Sequence, residues 1–155
     1  MENKIFNNEI EVHSLAIRAI YYNTKFGEDL HFIDNPDLDY NIEYNILTHT
    51  ENDRDHIMIL NLDIVEPSDD KDKNEFHIVV EGHFEVSKDI ENELIDNSIQ
   101  FRSLGILLTF LRTTIFNITS MTSSGGFNLP LINVEELHKN YFKKEKTQKK
   151  KRKKN

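Results

Sequence analysis

The sequence feature that most constrains the fold is a set of apolar residues that recurs at steps of three and four. Its members are Phe101, Leu104, Leu108, Leu111, Ile115 and Ile118. This spacing predicts a long amphipathic helix with one apolar stripe. Asn97 and Gln100 have the spacing of a capping box, which places the helix start near Asn97. Gly125 and Gly126 predict its end, because glycine adopts the left-handed conformation at a helix terminus without steric cost.

A crossing segment and a shorter helix are predicted after this turn. Pro130 prevents the helix from restarting at once, because proline has no backbone N–H to donate. In the stretch 134–142, Leu137, Tyr141 and Phe142 fall on one side of a helix. The predicted order is therefore a long helix, a crossing loop and a short carboxy-terminal helix.

Four stretches upstream of the long helix alternate apolar and polar residues and are predicted strands. In the first, 10–22, Ile10 and Val12 share one parity while Leu15 and Ile17 share the other, which predicts a bulge near His13. Short turns separate the later strands. The predicted fold class is α+β, a four-stranded antiparallel sheet with helices on one face.

Charge divides the chain into two unequal parts. Residues 138–155 carry ten Lys/Arg against one Glu, whereas residues 1–137 carry nine Lys/Arg against twenty-six Asp/Glu. We therefore interpret 1–142 as one folded domain and 143–155 as a disordered basic tail. The tail is either a solvated end or a binding element for an anionic partner such as RNA, the ribosome or acidic lipid headgroups.

The amino-acid composition and the absence of known motifs narrow the classes of chemistry that the protein can perform. The chain has no cysteine, which excludes disulfides and thiol catalysis and is compatible with a cytoplasmic location. No apolar run approaches the ~20 residues of a membrane span, and no secretory signal is visible. No motif for a phosphate loop, a zinc protease or a serine nucleophile occurs. We expect no enzymatic activity and no cofactor.

Two patterns resemble metal sites, and we expect neither to bind metal. Asp70, Asp72, Asn74 and Glu81 have calcium-loop spacing, but Glu75 stands where the sharp turn needs glycine. His77 and His83 share one strand face, yet six residues of extended chain separate them by ~20 Å. They are interpreted as surface histidines of a sheet.

Three segments near the carboxy terminus resemble the SecB family of protein-export chaperones. They are ITSMTSSGGF at 118–127, LPLINV at 129–134 and LHKNY at 137–141. The resemblance implies the SecB order of four strands, long helix, crossing loop and short helix. It also implies ATP-independent holding of unfolded preproteins in export or translocation, and a homotetramer built as a dimer of dimers. The SecA motor is an implied partner, although its docking acids are not evident at 15–18.

Apolar residues in peripheral elements are the predicted client-binding surface. They come from the loop 24–39, the second strand and the terminal helix: Phe26, Phe32, Ile33, Ile42, Tyr44, Leu137, Tyr141 and Phe142. The alternative is that they only cover the rim of the sheet and the long helix. The stripe on the long helix is the predicted oligomer interface: Phe101, Leu104, Leu108, Leu111 and Ile115.

Two other functions remain open at this point. A SecB-like chaperone dedicated to one client, such as the antitoxin of a toxin–antitoxin pair, fits the same residues. A nucleic-acid-associated protein that uses the basic tail is the alternative from a different class.

Overall fold

The computed structural model describes residues 9–23, 38–67, 75–121 and 126–141. Four strands, β1 (Ile10–Asn23), β2 (Asp39–Thr48), β3 (Asp55–Val65) and β4 (Glu75–Val86), form one antiparallel sheet in the order β1-β4-β3-β2. On β3 and β4 the even-numbered residues are buried and the odd-numbered residues are half-buried. This alternation gives the sheet an inner face that packs on the helices, and the predicted α+β fold is confirmed.

β1 contains two bulges that keep its apolar side chains on the inner face. The register shifts between Val12 and Ser14, and again between Ile17 and Ala19. Each extra residue reverses the side-chain parity of the strand. The inner-face residues are consequently Ile10, Val12, Leu15, Ile17, Ile20 and Tyr22. The predicted bulge near His13 is confirmed, and the second was not predicted.

The helical run starts earlier than predicted. A 3₁₀ turn (Asn92–Leu94) leads into α1 (Ile95–Asn97), a π-helical turn (Ser98–Ser103) and α2 (Leu104–Ser120) without a break. The predicted capping box is wrong, because Asn97 has helical dihedrals and makes no side-chain cap hydrogen bond.

The side chain of Arg54, which lies outside the helical run, holds the start of the run in place. Its guanidinium donates to the carbonyls of Ser87 and Ile90 and to the side-chain oxygen of Asn92. Arg54 lies in the turn before β3, so the helix start depends on a contact between distant parts of the chain. The residues next to the helix start therefore do not predict where the helix begins.

The core lies between α2 and the inner face of β3 and β4. Leu104, Leu107, Leu111 and Ile115 are fully buried there with the inner-face residues of both strands. None of the helices in the described part of the chain is long and apolar enough to span a membrane.

Thr119 fixes the position at which the chain turns back after α2. The Oγ1 atom of Thr119 donates to the Ile115 carbonyl at 2.8 Å and accepts from the backbone N–H of Phe127 at 2.7 Å. Gly126 lies so close to α2 that a Cβ there would be 2.5 Å from the Phe116 ring. The predicted turn residue Gly125 lies outside the described residues.

The crossing segment then runs over the core into the last helix. Phe127 and Leu129 are buried, and the Arg112 guanidinium donates to the Pro130 carbonyl at 2.9 Å. The last helix, α3, is described over 134–141. The side-chain oxygen of Asn133 accepts from the Glu136 N–H at 3.1 Å and caps its first turn.

Candidate functional site

Four ring side chains from three elements meet at one end of α3, and we call them the aromatic strip: Phe101, His138, Tyr44 and Tyr141. The ring centroids of Phe101 and His138 are 4.8 Å apart. The Tyr44 hydroxyl lies 3.0 Å from Nδ1 of His138. The rings of Tyr44 and Tyr141 stack at 4.6 Å with 16° between their planes. The strip thus joins the π-helical turn, β2 and α3.

Burial shifts the pKa values of Tyr44 and His138 in the strip toward their neutral forms. Burial, with a smaller contribution from Tyr141, raises the pKa of Tyr44 to about 12. Burial also lowers the pKa of His138 below its usual value. Burial therefore favours the neutral form of both groups, and the contact between Tyr44 and His138 lies within the strip.

A groove with a volume of about 380 Å³ shares Phe101 with the strip. We call it the Phe101 groove; it is lined by Glu9, Ile90, Leu94, Asn97, Ser98, Phe101 and Arg102. Leu94 is 48% exposed and Phe101 39% exposed, so both keep apolar surface open to solvent. Arg102 and Glu9 form an ion pair that joins the π-helical turn to the start of β1. The groove therefore combines uncovered apolar side chains with one ion pair.

The predicted client-binding residues differ in how deeply they are buried. Tyr44 and Leu137 are buried, while Ile42 and Tyr141 are half-buried. Tyr44 and Tyr141 are brought into contact in the aromatic strip, and Leu137 belongs to the core cluster. Their binding of clients stays a prediction. The remaining residues of the set lie outside the described part of the chain: Phe26, Phe32, Ile33 and Phe142.

Most of the predicted interface residues are used inside the single chain. Leu104, Leu108, Leu111 and Ile115 are buried in the core cluster, and within this set only Phe101 keeps substantial exposure. The single chain thus already buries most of the stripe that the sequence analysis assigned to contact with a second copy. An interface through these residues stays a prediction.

Sequence reasoning missed the walls of the Phe101 groove. Ile90 and Leu94 were not singled out, although Leu94 and Phe101 are seven residues apart, a spacing that places two residues on one helix face. That spacing was a usable signal for Leu94. The Arg102–Glu9 ion pair had no local signal, because its partners lie on different elements.

The outer face of the sheet carries histidine–carboxylate pairs. His77 lies 2.8 Å from Asp63, and His83 lies 2.5 Å from Asp55. The hydrogen bond with His83 is the main cause of the lowered pKa of Asp55. Each imidazole has a different carboxylate partner, and no group of three metal-ligating side chains occurs in 9–23, 38–67, 75–121 or 126–141.

Comparison with known proteins gives a likeness of fold. The structure is similar to that of the SecB-like chaperone Rv1957 of Mycobacterium tuberculosis, solved with a ChAD peptide from the HigA1 antitoxin Rv1956. The TM-score is 0.53 at 8% identity, over 81% of this chain and 91% of that chain. The two chains share a SecB-like α+β fold.

A protein of unknown function from Streptococcus agalactiae also matches, with a TM-score of 0.43 and 11% identity over 79% of this chain and 98% of that chain. No family model and no curated protein matches the sequence.

Proposed function

We propose that this protein is an ATP-independent molecular chaperone that holds unfolded polypeptide segments without a chemical step. The observation that carries the proposal is the surface formed by the aromatic strip and the Phe101 groove, which meet at Phe101 and leave the apolar side chains of Leu94 and Phe101 exposed. Its presence on a SecB-like fold supports the proposal. Exposed apolar surface of this kind is typical of sites that bind other polypeptides.

Apolar contacts suit a client that lacks a fixed sequence. Each client side chain would bury about 50–100 Å² on this surface, which contributes ~1–2 kcal/mol. Several such contacts give useful affinity with low selectivity. The excess of acidic residues in 1–137 would in addition attract basic unfolded segments over a distance.

We assign the main client contacts to Leu94, Phe101 and Tyr141. All three retain exposed surface, and Phe101 lies at the junction of the strip and the groove. Ile42 and Tyr44 belong to the proposed floor, and the predicted contributions of Phe26, Phe32, Ile33, Leu137 and Phe142 are kept as part of the proposal.

The second candidate function is that of a chaperone dedicated to a single client. The structure of Rv1957 contains a peptide from an antitoxin, which supports a client of that class for this chain as well. Export through SecA and a cytoplasmic location stay predictions from the sequence.

The test is suppression of aggregation of a slow-refolding protein, followed by light scattering without nucleotide. We expect the parent to suppress scattering in molar excess over the client, and the double variant Leu94→Ser/Phe101→Ser to lose most of this activity. The matched control is Tyr21→Ser/Leu47→Ser, which removes two apolar residues of the sheet that are at least as exposed as Leu94 and Phe101. Circular dichroism checks that all variants keep their fold.

No protection by the parent would overturn the chaperone proposal, and equal protection by the two double variants would overturn the assignment of the site. Salt separates this function from nucleic-acid binding by the tail. Binding to phosphates weakens steeply as salt rises, whereas apolar capture of a client does not.

A further inference from the structure

We infer that the outer face of the sheet binds one divalent transition-metal ion such as Zn²⁺, with the imidazoles of His13 and His83 as its nitrogen ligands. The two side chains come from neighbouring strands, and their ring centroids are 4.9 Å apart. Because this pair lies across β1 and β4, the ~20 Å that separates His77 from His83 along β4 does not apply to it. Neither ligand belongs to the aromatic strip or to the Phe101 groove, so the metal site is distinct from the proposed client surface.

The first bulge of β1 places His13 beside His83. Val12 is paired with Phe84 and Ser14 with His83, so His13 is the extra residue of the bulge. In such a bulge, two residues of one strand oppose a single residue of the other strand. Bulges are enriched next to functional sites, where they redirect a side chain. Here the bulge holds an imidazole of the edge strand next to an imidazole of the neighbouring strand.

Both imidazoles contact a carboxylate through the same ring nitrogen. Nε2 of His13 lies 3.2 Å from a carboxylate oxygen of Glu85, and Nε2 of His83 lies 2.5 Å from one of Asp55. An ionised carboxylate can only accept a hydrogen bond, so each Nε2 carries the hydrogen. The Nδ1 atom of the neutral imidazole then keeps the lone pair that binds a metal. A carboxylate behind a metal-binding imidazole is common in proteins, because it fixes the tautomer and makes the ligand more basic.

The spacing of the two rings matches that of two imidazoles on one zinc ion. Zinc binds a ring nitrogen at about 2.0–2.1 Å, and the ring centroid lies roughly 1.1 Å further away. At the tetrahedral angle, the centroids of two bound imidazoles are therefore about 5 Å apart. The observed separation of 4.9 Å agrees with this value. The backbone pairing of β1 and β4 thus already holds the rings at the distance that the ion requires.

Glu11 provides an oxygen ligand beside the histidine pair. Its carboxylate oxygen lies 3.8 Å from Nδ1 of His13, which is too far for a hydrogen bond. Two ligand atoms on one tetrahedral zinc are about 3.4 Å apart, so a small rotation of this side chain closes the gap. The Glu11 side chain is 74% exposed, which leaves room for the rotation. Among the residues that the structure describes, no three such groups converge before this movement. Water would fill the remaining coordination position.

The types of ligand atom select the class of ion. Imidazole nitrogen suits zinc, copper and nickel, whereas calcium and magnesium are bound by oxygen ligands. An ion held by His13 and His83 would tie the edge strand β1 to β4. Because a ligand that binds only the folded state stabilises it, we expect Zn²⁺ to raise the unfolding temperature and Mg²⁺ to leave it unchanged.

The first test is calorimetric titration of the full chain, purified without a histidine tag, with Zn²⁺. We expect one ion bound per chain. His13→Gln and His83→Gln should each weaken binding by more than about tenfold, since even the loss of a partner behind a ligand has an effect of that size. The matched control is His77→Gln, which removes a histidine of the same sheet face that also contacts a carboxylate and should bind like the parent. Circular dichroism checks that each variant is folded.

Several results of this titration would overturn the inference. One is the absence of binding at micromolar zinc. Another is equal affinity of the parent and of the variants at His13 and His83, or an equal loss in the control at His77. A ratio of one ion to two chains would also overturn it, because the ion would then lie between two copies.

The second test identifies the ring nitrogens by NMR of the ¹⁵N-labelled protein. Without metal, His13 and His83 in their neutral forms should carry the hydrogen on Nε2. Addition of Zn²⁺ should shift the Nδ1 resonances of both residues and leave those of His77 in place. Binding of the ion through Nε2 of either residue would overturn the assignment of the ligand atoms, because it would displace the carboxylate partners.

Discussion

His56 links the stability of the fold to pH through one buried side chain. Its Nε2 atom lies 2.9 Å from the Ser103 hydroxyl, and its ring stacks on Phe84 at 5.6 Å. Burial is the main cause that lowers its pKa from 6.5 to about 4. The imidazole is therefore neutral in the folded state over the whole range in which an exposed histidine gains a proton.

The direction of the pH effect follows from this lowered pKa. Between pH 6.5 and about 4 the unfolded state binds the proton and the folded state does not, so the free energy of unfolding falls as the pH falls. The full difference amounts to about 3 kcal/mol. We expect His56→Gln to remove this part of the pH dependence, because glutamine can reach Ser103 but does not titrate.

Urea unfolding of the parent and of His56→Gln at several pH values measures this effect. The informative quantity is the change with pH in the difference between the two proteins, because other histidines contribute to both. A difference that stays constant from pH 7 to pH 4 would show that His56 is not the group responsible.

Among the elements, the π-helical turn is the one that positions the site. It directs Ser103 inward to His56, while Phe101 and Arg102 from the same turn line the Phe101 groove. Turns of π-helix are often found at functional sites, since they shift the side chains that follow relative to a regular α-helix. The same six residues thus contribute to the core and to the candidate site.

The connection from α2 to the crossing segment depends on one hydroxyl group. We expect Thr119→Val to lower the free energy of unfolding by about 1–3 kcal/mol, because the buried N–H of Phe127 loses its acceptor. Thr113→Val is the matched control. Its hydroxyl also donates to the carbonyl four residues earlier, but the residue is exposed, so its loss should cost little. Equal midpoints in urea for the two variants would contradict this role of Thr119.

At the scale of the whole molecule, we predict that copies of this chain associate through the outward face of α2. A Cβ atom at Gly105 would meet no atom within 4 Å, so the described part of the single chain does not require glycine there. Glycine inside a helix costs about 1 kcal/mol relative to alanine. Close approach of a second copy would explain this cost, and the exposed Phe116 lies on the same helix.

Gly105→Phe should therefore dissociate the assembly and leave the helix content unchanged, because the new ring has room only in the separated chain. Light scattering coupled to size exclusion measures the mass of both proteins. Gly105→Ala is the control for propensity and should raise the unfolding free energy of the separated chain by about 1 kcal/mol. A monomeric parent, or an unchanged mass for the phenylalanine variant, would refute an interface at this position.

Local patterns in the sequence determined much of the fold. Alternation of apolar and polar residues identifies β2, β3 and β4, because successive side chains of a strand point to opposite faces. The change of parity in β1 identifies its first bulge, and the same reasoning applied from Ile17 to Ile20 would have identified the second. The recurrence at three and four identifies α2. These features are readable because each depends on neighbours in the sequence.

The candidate site was decided by the tertiary structure. Tyr44 and His138 meet across 94 residues, and the Phe101 groove is built from the start of β1 and the first helical turns. Phe101 belongs to the same periodic stripe as Leu104, yet Leu104 is fully buried and Phe101 is not. Periodicity in the sequence identifies the apolar residues that share one face of the helix. How far the sheet extends beneath that face, and which side chains it leaves uncovered, depends on contacts between elements that no local pattern encodes.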